Sequence, residues 1–265
     1  MKIGIDAGGT LLKIVYFENE KRRFEKRPSS EIDLLIDDLN TYHSADEIYL
    51  TGGKAEYMNE KLKQIHGTSV EFDATYRGLI KLMQEQNLSI KRFVYLNVGT
   101  GTSFHQADWE GQTRVGGSGV GGGTLMGLSK LLTDLDSYDE IVKLAAAGNR
   151  DEIDLKVHHI YAGRQTPIPG DLTASNFGNV LTGNIQDMNN ADKIQAVIGL
   201  VAETVTAVGI SLADGFETED IVFIGSTLLN NDVMIEIVRR YADLKGVNAH
   251  IIENGEYSGA LGALL

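Results

Sequence analysis

The sequence predicts an α/β protein built from two related halves that face each other across a cleft, and three observations carry that prediction. Apolar strand patterns alternate with amphipathic helix patterns along the chain. The layout of "MKIGIDAGGTLLKIVYFE" recurs in "RFVYLNVGTGTSFHQAD": an apolar strand, a polar side chain (Asp6, then Asn97), a glycine-threonine turn and a second strand. Thirty glycines against three prolines cluster at "DAGGT", "LTGG", "NVGTGTS" and "RVGGSGVGGG". Clustered glycines suit turns that let a ligand touch the backbone, whereas a linker would dilute them with Ser and Pro.

Taken in order, strand patterns cover Lys2 to Ile5, Leu11 to Phe17 and Arg22 to Lys26, a meander joined by tight turns. Ile32, Leu35, Ile36 and Leu39 then recur at helical spacing after a Ser29, Ser30 cap signal, and "EIYLTGG" reads as a buried strand. A short strand "SVEFDA" and a helix from Thr75 to Gln86 close the first half. After the repeated hairpin, "GVGGGTLMG" leads into a helix beginning near Thr124, and "RQTPIPGDLTASNFGN" is the best loop candidate. Ile194, Val197, Ile198, Val201, Val205, Val208 and Leu212 mark a long packing helix, and "IVFIGST" is a third strand-glycine-hydroxyl junction. The expected lobes are 1–95 and 96–265.

Composition narrows the function classes. Without cysteine there is no disulfide, thiolate metal site or cysteine nucleophile, and a reducing cytoplasm is the natural compartment. The start of the chain lacks a signal-peptide pattern, and no apolar run is read as approaching the roughly 18 to 20 residues of a membrane span, so no membrane is expected. A formal net charge of −13 disfavours nucleic acid as a partner. The six histidines show no metal-ligand spacing, His158 and His159 are expected to face different ways, and "FENEKRRFEKR" reads as a solvated strand edge. An anionic substrate must therefore be held by backbone N–H groups, a few placed cations or a metal ion.

"DAGGT" between two hairpin strands fits that need. Gly8 and Gly9 allow close backbone approach to phosphate oxygens, Thr10 adds a hydroxyl, and Lys13 is spaced to aim an ammonium at the β- or γ-phosphate. Asp6, at the strand's end, suits Mg2+ held largely through water. "NVGTGTS" supplies a matching turn with Thr100, Thr102 and Ser103 as donors, and the "GVGGGTLMG" amides suit phosphates at a helix start. Glu71 and Asp73 of "VEFDA" lie two apart on one face of that strand, and either carboxylate can serve as a base.

Two such turns and the third junction resemble the actin, heat-shock chaperone and sugar kinase ATPase superfamily, which implies two lobes of duplicated ribonuclease H-like topology with a nucleotide cleft between them. Within it, "GIDAGGTLLKI", "VEFDA", "NVGTGTS", "RVGGSGVGGG", "PGDLTASNFG", "IVFIGST" and "ENGEYSGALGAL" are together similar, end to end, to the type II pantothenate kinase family, the staphylococcal kind in particular. That resemblance implies ATP, Mg2+ and pantothenate, and a cytoplasmic homodimer. It places the base on Glu71, pantothenate contacts on Ser103 and Arg114, and a contact to the partner subunit's substrate on Tyr241. It gives nucleotide contacts to Asp6, Ala7, Gly8, Gly9, Thr10, Leu11, Leu12, Lys13, Thr100, Gly122, Gly123, Thr124, Leu125, Met126, Tyr138 and Ser226, with Asp6 also the metal residue. A sugar kinase of the same superfamily and a non-enzymatic actin-like ATP switch are the alternatives.

Overall fold

The structure, a computed structural model, describes residues 1–43, 46–161, 164–181 and 188–265. Its first half holds β1 (Lys2–Ala7), β2 (Leu11–Glu18), β3 (Lys21–Pro28), α1 (Ile32–Tyr42), β4 (Glu47–Thr51), α2 (Ala55–Lys61), β5 (Gly67–Thr68) and α3 (Glu71–Glu85). The second half runs β6 (Arg92–Val98), β7 (Thr102–Asp108), β8 (Gln112–Ser118), α4 (Gly122–Thr133), α5 (Tyr138–Ala145), β9 (Leu155–Lys156), α6 (Val157–Ile160), β10 (Thr173–Ser175), α7 (Asn190–Gly215), β11 (Asp220–Ile224), α8 (Asp232–Leu244), β12 (Asn248–Ile251) and α9 (Ser258–Ala263).

The duplication is visible in the sheets. The first has strand order β3-β2-β1-β4-β5 and the second β12-β11-β6-β7-β8, which is the same order read from the other edge. In each, three antiparallel strands are followed by two that run parallel to the first. Asp6 and Asn97 stand at matching places, opposite Lys13 and Ser103 respectively. The charge-rich β3 is an edge strand as expected, laced by ion pairs such as Arg22 to Glu85 at 2.7 Å.

Ile32, Leu35, Ile36 and Leu39 of α1 are buried against the first sheet, each contributing roughly 1.5–3 kcal/mol. Ser29 does not cap this helix. Its hydroxyl donates to the Gly8 carbonyl at 2.7 Å and its amide to the Thr10 carbonyl at 2.9 Å, so the expected cap residue instead ties down the first glycine turn.

The expected strand at "SVEFDA" is absent. Strand pairing ends at Thr68, and Val70 is the extended residue before α3, which begins at Glu71. The alternation Val70, Phe72, Ala74 imitates a strand, but Glu71 and Asp73 fall in the first turn, where carboxylates are favoured by unpaired amides and the helix dipole. The two side chains are therefore about 200° apart around a helix and do not share a face.

By length and composition α7 also departs from expectation, since its 26 residues include an 18-residue window of mean hydropathy 1.9, enough to cross a membrane. Here 56% of that window is buried: Ile194, Val197, Ile198, Val201 and Val205 are fully buried among residues of the second sheet, α4 and α8, whereas Val208, expected on the same stripe, is exposed.

The last helix, α9, is buried along its whole length and sits against α3 and β1 at backbone-to-backbone distance. A Cβ on Gly262 would lie 1.7 Å from the Ala74 carbonyl oxygen, one on Gly78 1.9 Å from that of Ser258, and one on Gly4 2.0 Å from that of Ala260. Arg77 donates to the Gly262 carbonyl at 3.1 and 3.2 Å, closing the helix end. Gly262→Ala is accordingly expected to cost about 3 kcal/mol or more and to lower Tm by roughly 6 °C or more, read by thermal unfolding. An unchanged Tm would contradict this close packing.

Candidate active site

The two glycine turns meet at the mouth of a cleft of about 510 Å3 between the sheets, lined among others by Asp6, Gly9, Lys13, Glu71, Thr100 and Arg114. Thr10 Oγ1 and Thr100 Oγ1 are 2.8 Å apart, so the turns touch across the cleft through their threonines. In the first turn the Gly8 amide donates to the Leu11 carbonyl at 3.2 Å, and a Cβ on Gly8 would press on that oxygen at 2.8 Å. Gly9 differs. A Cβ there would meet nothing within 4 Å, so nothing inside the folded chain requires glycine at that position.

Asp6, 8% exposed, accepts a hydrogen bond from Lys13 Nζ at 3.1 Å. Room for its carboxylate comes from two glycines. A Cβ on Gly52, whose φ is +93°, would lie 2.5 Å from Asp6 Oδ1, and one on Gly259 3.1 Å from its Cγ. "LTGG" thus serves the Asp6 carboxylate, and Gly52 combines a left-handed backbone with that close approach.

Glu71, the first residue of α3, lines the cleft, and Asp73 lies outside that lining. Although solvent reaches Glu71, the surrounding cleft walls desolvate it and, with the Asp6 charge, push its pKa up, opposed in part by Lys13. Arg114 on β8 also lines the cleft, 5.3 Å over the Phe72 ring, and among the described residues it has no carboxylate partner.

The other expected residues are placed more variously. Ala7 and Leu12 are fully buried in the first core, and Leu11 is their half-buried neighbour. The Gly122 and Gly123 amides donate to the Gly99 and Thr100 carbonyls, both at 2.8 Å, so the start of α4 braces the second turn and these two N–H groups are already engaged. Thr124 donates through its hydroxyl to the Gly119 carbonyl at 2.9 Å, Leu125 is fully buried and Met126 packs against the second core. The Tyr138 hydroxyl lies 2.7 Å from the Thr227 carbonyl and 3.0 Å from that of Leu229, fixing α5 to the segment holding Ser226.

Tyr241 lies on α8, outside the cleft lining, beside a second cavity of about 410 Å3 that also borders Arg150, Lys156 and Glu203. Arg150 is ion-paired there to Asp154 at 2.6 Å and Glu203 at 3.0 Å. Among the described residues no group of three metal-ligating side chains occurs, and the His158 and His159 rings meet edge-on at 4.2 Å, contrary to the expectation that they diverge. Phe72, which sequence reasoning did not place at the site, lines the cleft, and His105 lies buried beneath it with ring centroids 5.2 Å apart. The signal for His105 lay in its i+2 spacing from Ser103 on a strand.

The Fumble family profile matches residues 57–265. The type II pantothenate kinase of Staphylococcus epidermidis is 46% identical over 264 residues, spanning all of this chain and 99% of the relative. Those of Staphylococcus saprophyticus and Staphylococcus aureus are 45% and 44% identical, again over the whole chain and 99% and 98% of the relatives. This chain belongs to the type II pantothenate kinase family. Among solved structures, a ROK family glucokinase from Streptomyces griseus, crystallised with glucose and AMPPNP, superposes with TM-score 0.58 at 12% identity over 99% of this chain and 97% of that one. A ROK hexokinase from Thermus thermophilus gives 0.51 at 16% identity over 98% and 96%. The relation of a type II pantothenate kinase to these sugar kinases is one of fold, two lobes of the actin-like ATPase kind.

Proposed function

We propose that this protein transfers the γ-phosphoryl group of ATP to the primary hydroxyl of pantothenate, giving 4'-phosphopantothenate and ADP, the entry step to coenzyme A. The observation that carries this reading is one cleft, on a chain of this family, that joins two touching glycine-threonine turns, the Glu71 carboxylate and an arginine that, among the described residues, has no acidic partner. In the bond exchange the hydroxyl oxygen bonds to the γ-phosphorus, the bond to the β,γ-bridging oxygen breaks, and the hydroxyl proton passes to Glu71. Glu71 suits that role because its raised pKa strengthens it as a base.

Arg114 presents a planar fork to the pantothenate carboxylate, holding the far end of the substrate. Lys13, ion-paired to Asp6, is within the same cleft as the two turns and supplies its charge to the phosphoryl oxygens, and the Thr10 and Thr100 hydroxyls are placed to bond phosphate from both sides. Asp6 fits Mg2+, a hard ion that keeps most of its waters and needs only one or two carboxylates, because its buried oxygens border the cleft at the turn. When bound, the ion supplies positive charge against the phosphoryl oxygens.

Two lobes follow from the same reading, but the expected boundary at 95/96 falls inside β6 (Arg92–Val98), the middle strand of the second sheet, so the division is drawn before β6, with α9 returning to seal the first lobe. A cytoplasmic homodimer that brings Tyr241 to the partner subunit's substrate is also part of the proposal, testable by light scattering.

Transfer from γ-labelled ATP to pantothenate, glucose or water distinguishes the alternatives: label in phosphopantothenate is expected, while label only in glucose 6-phosphate or free phosphate would refute the reading. Arg114→Ala is expected to raise the pantothenate KM about 30-fold with the ATP KM unchanged, the worth of a charge-assisted hydrogen-bonded pair. An unchanged pantothenate KM would remove Arg114 from the substrate. Because the base must be ionised, kcat/KM should fall as pH falls, with its acid limb above the ordinary glutamate value of 4.5.

A further inference from the structure

His105 is 1% exposed and lies two residues past Ser103 on β7, so both side chains project from the same face of the second sheet. Its ring is confined from three elements. It stacks on Tyr95 of β6 at 4.3 Å with 7° between the planes, Phe72 of α3 covers it at 5.2 Å, and its register partner on β8 is Arg114. Both ring nitrogens are bonded: Nδ1 lies 2.8 Å from Gln112 Oε1, and Nε2 3.0 Å from Ser103 Oγ.

With Gln112 presenting its carbonyl oxygen to the ring, the direction of each proton follows. A carbonyl oxygen only accepts, so the ring proton facing Gln112 must be on Nδ1, and in a neutral imidazole this leaves Nε2 with a lone pair alone. The Ser103 hydroxyl must then donate to Nε2. Burial, reinforced by the Arg114 charge and only partly offset by the Gln112 bond, holds the imidazole pKa below its ordinary value.

We propose that His105 is a positioning residue that fixes the polarity of Ser103, so that Ser103 offers the cleft only lone pairs and selects an N–H or O–H donor on the acceptor substrate. A free serine hydroxyl donates or accepts with equal ease, whereas one whose single proton is committed discriminates, because a substrate lacking the donor leaves the serine oxygen unpaired. This rests on the pantothenate reading of the cleft. Between the ends held by Glu71 and Arg114, that substrate carries a secondary hydroxyl and an amide N–H, the donors Ser103 would take.

The test is a double-mutant cycle in steady-state kinetics. His105→Phe keeps a ring to stack on Tyr95 and removes the acceptor; Ser103→Ala removes the hydroxyl. Each is expected to raise the pantothenate KM about ten-fold with the ATP KM unchanged, and the double variant to be no worse than the worse single one. Effects that multiply to about a hundred-fold, or a normal KM in His105→Phe, would overturn the proposal. Should His105→Phe not fold, Gln112→Leu acts from the other side of the ring: without an acceptor at Nδ1 the proton moves to Nε2, and the KM rises in wild-type protein but not in Ser103→Ala. The same Gln112→Leu shift assigns the ring in the 15N spectrum of wild-type protein, where a neutral Nδ1–H ring is expected and an Nε2–H or charged ring contradicts the proposal whatever the substrate. Wild-type protein that transfers no phosphate to pantothenate would refute the reading of the cleft; normal transfer with a multiplicative cycle would refute only the role of His105.

Discussion

Glu71→Gln is expected to lower kcat for pantothenate phosphorylation by about 10²-fold or more while Mg-ATP still binds, since it removes the proton acceptor and keeps shape and hydrogen-bonding capacity. The same variant should not lose stability. Glu71 has a higher pKa in the folded protein than in the unfolded chain, so its favourable contribution is complete below the ordinary value of 4.5 and is lost as pH rises through the raised folded value. At neutral pH desolvation and the Asp6 charge outweigh what the ionised side chain gains from Lys13 and the start of α3, so the Tm of ligand-free Glu71→Gln should equal or exceed that of the wild type. Asp73→Asn, altered outside the cleft lining, should leave kcat within about three-fold. Near-normal turnover in Glu71→Gln, or equal losses in the two variants, would contradict the assignment of the base.

Asp6→Asn carries the second large effect, again about 10²-fold or more in kcat. Two consequences separate a metal-holding role from simple damage. Half-saturating Mg2+ should rise, because a neutral amide holds the ion's water shell less firmly than a carboxylate. The acid limb of kcat/KM should move down, because the Asp6 charge is one cause of the raised Glu71 pKa. Unchanged Mg2+ dependence would remove the metal from Asp6. Chelation with EDTA should abolish wild-type turnover and leave the fold intact, as no structural metal cluster occurs among the described residues.

Much of the architecture was legible because it is written twice. The pair "DAGGT" and "NVGTGTS", each between an apolar strand and its return, was enough to expect two lobes, and the strand orders of the two sheets agree. What escaped the sequence depended on contacts between distant segments. "VEFDA" alternates like a strand, yet its carboxylates sit in the first turn of α3, and only that helix separates Glu71 from Asp73. The small residues of "SGALGA" say nothing of their neighbour, and their docking against Gly78 and Gly4 appears only once three elements are in place. Gly122 and Gly123 read as phosphate donors, but the carbonyls of the second turn reach their amides first. His105 was a scattered histidine until β7 folded beside β6 and β8 and set it behind Ser103 and Phe72 of the cleft wall.

The grip of the two turns on a triphosphate is tested most directly at Gly9, where the folded chain leaves room for a side chain and a phosphate would not. Mg-ATP is titrated by calorimetry into wild-type protein and Gly9→Ala, with Tm measured for both. Binding to the wild type, with at least about ten-fold weaker affinity in a variant of equal Tm, is the expected result. Equal affinity in the two proteins, or no binding by well-folded wild type, would contradict it.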